Sequence, residues 1–93
     1  TQQQAENVQV VNMNLTYRGY EPNTLRVKKG IPVRWVINVV EMSGCTNEIV
    51  IHGYNIRNKL NYGENIIEFT PKESGEIQFS CWMNMVWGKF IVN

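Results

Sequence analysis

The sequence predicts an all-β protein, a Greek-key β-sandwich or barrel of about seven strands. Three observations carry that expectation. Short runs alternate apolar and polar residues with the period of two that a half-buried strand requires. Clusters of Gly, Pro, Asn and Ser separate those runs with turn chemistry. No stretch supports a convincing helix.

Residues 8–15 open the pattern, but the alternation slips one step at Val10-Val11. Such a slip turns every later side chain to the opposite face, so a bulge or a change of sheet is expected there. Residues 17–23 hold Gly19, Pro22 and Asn23 and read as a turn. Residues 24–28 alternate with Leu25 and Val27 inward, and Lys29-Gly30 turns the chain. Residues 31–39 follow, with Val33, Trp35, Ile37 and Val39 in one phase and Pro32 at the strand's start, where a missing N–H is tolerated.

Residues 41–47 have no period and read as a loop that carries Cys45. Residues 48–52 make a short strand with Ile49 and Ile51 inward, which leaves His52 on the outer face as a surface histidine. The Asn-rich stretch 53–63 reads as a loop with room for one helical turn. Residues 64–70 form a strand stopped by Pro71, and 71–75 are turn chemistry. In 76–81, Cys81 is in register with Ile77 and Phe79 and should point inward. Residues 88–92 close the fold. The pattern favours antiparallel pairing throughout.

The chain has 93 residues, 43% hydrophobic and 18% charged, which suits one folded domain with one core. Residues 1–7 are polar and aperiodic and read as a tether cut from something longer, with the domain at 8–93. A net charge of +1 gives no field to recruit nucleic acid or an anionic membrane. No apolar run reaches the ~18 residues of a membrane-spanning helix, and no signal-peptide pattern is present.

The chemistry is concentrated in sulfur. Cys81, Met83 and Met85 stand at alternate positions, C-x-M-x-M, and Cys45 lies upstream. Four soft donors with a single histidine suit Cu(I) better than Cu(II) or most other divalent ions. Zinc ordinarily takes four Cys or His ligands, and this chain offers three such residues. Two thiolates and two Cu(I) ions would be electrically neutral, which lowers the desolvation cost of a site against a core. Four sulfurs accommodate one ion or two. Met13 and Met42 read as core fillers instead. Glu41 and Glu48 flank the cysteine loop, with surface solvation or an outer contact to the site as their roles. Around His52 no catalytic arrangement can be assembled, so an enzyme is not expected. A Cys45–Cys81 disulfide that simply staples the sandwich is the plainer alternative.

A small Greek-key β-domain with a cysteine-headed ligand loop before its last strand resembles the cupredoxins. Blue-copper members carry an upstream His, then Cys, His and Met, whereas here Cys45 stands at the upstream position and Met83 and Met85 follow Cys81. The resemblance is stronger to the Cu(I)-binding cupredoxin-like domains of bacterial copper-resistance systems, through Gly19-Tyr20-Glu21-Pro22, Ser43-Gly44-Cys45, Phe69-Thr70-Pro71 and the segment from Phe79 to Met85. It implies a Cu(I) site of one or two ions on Cys45, Cys81, Met83 and Met85, with Ag(I) as an alternative cargo. It also implies a partner, either a copper-transporting membrane protein (a P-type ATPase or a permease) or another copper chaperone. The location implied is extracytoplasmic or membrane-associated. Trp82 stands where the related chaperones have glycine, and would either cover the site or pack. An electron-transfer cupredoxin is the remaining reading, and the sulfur-rich donor set argues against it.

Overall fold

The computed structural model describes residues 8–93; the tether expected at 1–7 lies outside the described residues. Among the described residues the chain forms β1 (Gln9–Thr16), β2 (Gly19–Glu21), β3 (Thr24–Val27), β4 (Val33–Val39), β5 (Glu48–Ile51), β6 (Ile56–Lys59), β7 (Gly63–Phe69), β8 (Gly75–Cys81) and β9 (Trp87–Val92), with no helix. One sheet has the order β2-β1-β4-β7 and the other β3-β9-β8-β5-β6. The all-β sandwich is as expected. The two additional strands lie in stretches that read as turn and loop. β2 is only three residues long, and β6 is an edge strand whose side chains are almost all exposed. Neither has an alternating apolar face for the sequence to reveal.

Pairing is mixed rather than wholly antiparallel. β1 runs parallel to β4, and β3 runs parallel to β9. The chain changes sheet after β2 and again after β3, so β4 returns beside β1 in the same direction. The slip at Val10-Val11 is not a bulge either. β1 stays in unbroken register with β4 from Gln9↔Val33 to Leu15↔Val39. Val11, Met13 and Leu15 face the interior, and Val10 is an exposed valine on the outer face.

The inward phases of the sequence meet between the sheets. Val33, Trp35, Ile37 and Val39 from β4 pack against Ile49, Ile51, Phe79 and Phe90 from the other sheet. Each such side chain contributes about 1.5–3 kcal/mol by leaving water. Aromatic rings hold the centre. Trp35 meets Phe79 edge-on at 4.6 Å and Phe90 at 4.9 Å, and Tyr20 lies 5.2 Å from Phe79. Gly88 is opposite Phe79 in the β8–β9 ladder, and the Phe79 ring fills the space where a Cβ would stand.

This register brings the two cysteines to one end of the sandwich. β5 pairs antiparallel with β8, with Ile49 opposite Cys81. The start of β5 therefore lies beside the end of β8. Cys45, just before β5, falls next to Cys81 despite a separation of 36 residues.

Candidate metal centre

Cys45 sits in the loop between β4 and β5. A reciprocal turn shapes that loop: the Ser43 N–H donates to Thr46 Oγ1 (2.9 Å), and the Thr46 N–H donates to the Ser43 carbonyl (3.2 Å). Thr46 is buried, which anchors the turn, and Cys45 is left half-buried at its tip. Cys81 ends β8 and is 0% exposed, as its phase with Ile77 and Phe79 requires. The two sulfurs are joined as a disulfide, with Cα atoms 6.0 Å apart.

The chain then turns sharply. The Asn84 N–H donates to the Cys81 carbonyl (2.9 Å), and Asn84 takes a left-handed φ of 60°, which Asn tolerates better than most residues. The Cys81 N–H donates to the Val86 carbonyl (3.0 Å), which closes the base of the loop. The Met85 N–H points at Cys81 Sγ (3.2 Å), which ties the loop backbone back to the buried sulfur. Met83 and Met85 are 49% and 70% exposed, so both side chains stand at the surface of the loop that follows the buried cysteine.

Trp82 does more than pack. Its indole N–H donates to the Gly44 carbonyl (3.0 Å) and to Asn47 Oδ1 (3.1 Å). It thus ties the ligand loop to the Cys45 loop while its ring stays 43% exposed. Glu41 and Glu48 are engaged away from sulfur. Glu41 accepts from the Tyr17 N–H (2.9 Å), and Glu48 pairs with Arg57 (3.2 Å). The methionines expected in the core are there: Met13 is buried and Met42 packs against the cluster.

His52 is not the plain surface histidine its strand phase suggests. Its Nε2 lies 2.7 Å from Ser80 Oγ, and its ring stacks on Trp87 at 5.0 Å and 19°. Ser80 Oγ is also 3.0 Å from Asn84 Oδ1, and the Trp87 indole N–H donates to the Asn84 carbonyl (2.8 Å). Sequence reading passed over Ser80, Asn84 and Trp87. The available signal was Asn84 at the centre of a short loop, where a left-handed residue is needed.

The donor set fits a soft monovalent ion. Among the described residues no group of three or more His, Cys, Asp or Glu comes together. What the fold does bring together is two cysteine sulfurs, which reduction would turn into two thiols, with two methionines following Cys81 in the same loop. Thiolate and thioether ligands select Cu(I) over harder ions.

A two-sheet sandwich with a cysteine-headed loop before the last strand defines a small metal-binding β-domain. The family model described as a cupredoxin-like domain matches residues 1–92, and the chain belongs to that family. The metal-binding domain of the Cu(I)-exporting P-type ATPase CopA of Streptococcus pneumoniae D39, solved with Cu(I), is 31% identical with a TM-score of 0.87. That match covers 94% of this chain and 87% of the other. A copper-binding protein solved in its apo form by NMR is 34% identical with a TM-score of 0.86, over 94% of this chain and 89% of its own. The auracyanin of Roseiflexus castenholzii, at 15% identity and a TM-score of 0.70 over 90% and 96% of the two chains, shares the fold. A search of curated proteins found no match.

Proposed function

We propose that this domain binds Cu(I), with Ag(I) as a chemically close second cargo, and passes it on by ligand exchange as a chaperone or as part of a copper transporter. The observation that carries the reading is the convergence of Cys45 and Cys81 beside a loop with two exposed thioethers. Cys45 and Cys81 supply most of the affinity, and Met83 and Met85 complete the site. An incoming thiolate from a partner attacks copper at the exposed side, and the neutral, weaker thioethers leave first. The protein's part is binding and release rather than catalysis.

The disulfide bears directly on this. The same two sulfurs cannot be bonded to each other and serve as thiolate ligands. Loading therefore follows two-electron reduction of the disulfide, for example by a dithiol that is itself oxidised to a disulfide. A permanent structural staple is the competing reading, favoured by the bond itself. Electron transfer is disfavoured by the donor set, since the one histidine is engaged with Ser80.

The similar domain of a Cu(I)-exporting ATPase supports a copper-transporting membrane protein as partner, with another copper chaperone as the alternative. An extracytoplasmic or membrane-associated setting is part of the same proposal and rests on the sequence resemblance alone. Anaerobic titration of the reduced protein with Cu(I) against a competing chelator tests the assignment. One or two equivalents should bind, and Cys81→Ser should nearly abolish binding. Equal affinity in Cys81→Ser and the unmutated protein would overturn the reading. No uptake after full reduction would favour the staple.

A further inference from the structure

Four residues beneath the ligand loop form a closed ring. His52, just past β5, holds Ser80 of β8 through a 2.7 Å contact. Ser80 Oγ reaches Asn84 Oδ1 at 3.0 Å. The Asn84 carbonyl accepts the Trp87 indole N–H at 2.8 Å, and the Trp87 ring stacks back on His52. Ser80 is fully buried and has one proton to give; Asn84 Oδ1 and the Cys81 carbonyl (3.0 Å) both stand within reach of it, and the His52 ring nitrogen completes its partners. Asn84 is the left-handed residue between Met83 and Met85, and its conformation sets where both side chains emerge. Trp82 holds the other end of the loop against the Cys45 loop. The methionine segment is therefore fastened on both sides, and the fastening from below begins at His52, whose side chain bonds Ser80 and stacks on Trp87.

We infer that His52 is a positioning residue for the methionine half of the copper site: through Ser80 and Asn84, and by stacking on Trp87, it orders Met83 and Met85 before metal arrives. The inference rests on the Cu(I) reading above. Ordering ligands in advance removes part of the entropy that binding would otherwise cost. Groups that orient metal ligands typically change affinity by ~10–100-fold when removed. A histidine serving only local packing would affect copper equally whether or not the thioethers were present.

A double-mutant cycle separates these cases. Cu(I) affinity of the reduced protein is measured for the unmutated chain, His52→Ala, Met83→Leu/Met85→Leu, and the combination. His52→Ala should weaken binding about tenfold with the methionines present and less than about twofold in the leucine background. Trp87→Phe, which keeps a stacking ring but loses the N–H bond to Asn84, should act in the same direction, and serves in the cycle if His52→Ala does not fold. His52→Gln, which can still bond Ser80, should recover part of the loss. Equal losses in both backgrounds overturn the positioning role while leaving the copper site intact. The methyl NMR signals of Met83 and Met85 in the reduced, metal-free protein give a readout independent of affinity. They should be dispersed in the unmutated chain and converge toward free methionine in His52→Ala, and no change there overturns the inference even if copper is not the cargo.

Discussion

At the scale of single residues, two buried side-chain polar atoms among the described residues, Tyr20 Oη and Trp35 Nε1, have no hydrogen-bond partner. Tyr20 is buried against Phe79, and its hydroxyl finds no hydrogen-bond partner among the described residues. Burial pushes its ionisation well above the ordinary tyrosine value of about 10. The folded state thus favours the neutral phenol. That contribution is complete below about pH 10 and is lost as pH rises above it, by up to about 1.4 kcal/mol per unit. Tyr20→Phe should flatten this alkaline loss relative to the unmutated chain and raise stability near neutral pH by about 1 kcal/mol. Urea unfolding at pH 7 and at pH 11 measures both, and a substantial loss of stability at pH 7 would show that the hydroxyl is partnered after all. The site's ligand candidates were legible at this scale. Cys81 announced itself by its phase with Phe79 and Ile77, and the spacing of Met83 and Met85 marked the loop. Ser80, His52 and Trp87 were not legible, because their bonds join positions up to 28 residues apart and follow no period.

At the scale of elements, β8 and β9 carry the burden of presenting the loop. Their ladder sets Phe79 against Gly88, with the Asn23 carbonyl 3.0 Å from the point where a Cβ would sit. Backbone on one side and a packed ring on the other leave that methyl no space. Gly88→Ala should cost about 1–3 kcal/mol by forcing Phe79 off its packing with Trp35 and Phe90. Thermal unfolding of the variant checks this, and an unchanged midpoint would mean the ring can give way at no cost. Strands with one buried face were legible in the sequence from alternation alone, as in β4, β5 and β8. Edge strands were not: β6 buries almost nothing, so no alternation exists to be read. Strand direction was hidden for a different reason, since parallel pairing of β1 with β4 arises only from the path the chain takes between sheets.

At the scale of the whole molecule, the Cys45–Cys81 link joins positions 36 residues apart and closes a loop that visits both sheets, from just before β5 through β7 to the end of β8. Loop-closure entropy assigns such a link about 4 kcal/mol against the unfolded chain. Opening it without metal should therefore give the least stable form of the protein. Cu(I) can take over the same closure, and ligand at ~1,000 times its dissociation constant contributes about 4 kcal/mol. The expected order of melting temperatures is reduced apo below both oxidised apo and reduced Cu(I)-loaded. Calorimetry of the three forms reads it directly, and a reduced apo form as stable as the other two would show that the link does not constrain the fold.

The unequal burial of the two cysteines gives the molecule a direction in time. Cys81 is sealed in the interior and Cys45 is half-open to solvent. A thiolate arriving from outside meets Cys45 first and forms its mixed disulfide there. Cys81 is then the leaving group, released where the Met85 N–H already points at its sulfur. The outer cysteine is the entrance and stays in the mixed disulfide until a second thiolate resolves it, so the half of the site that frees first is the half that carries the methionines.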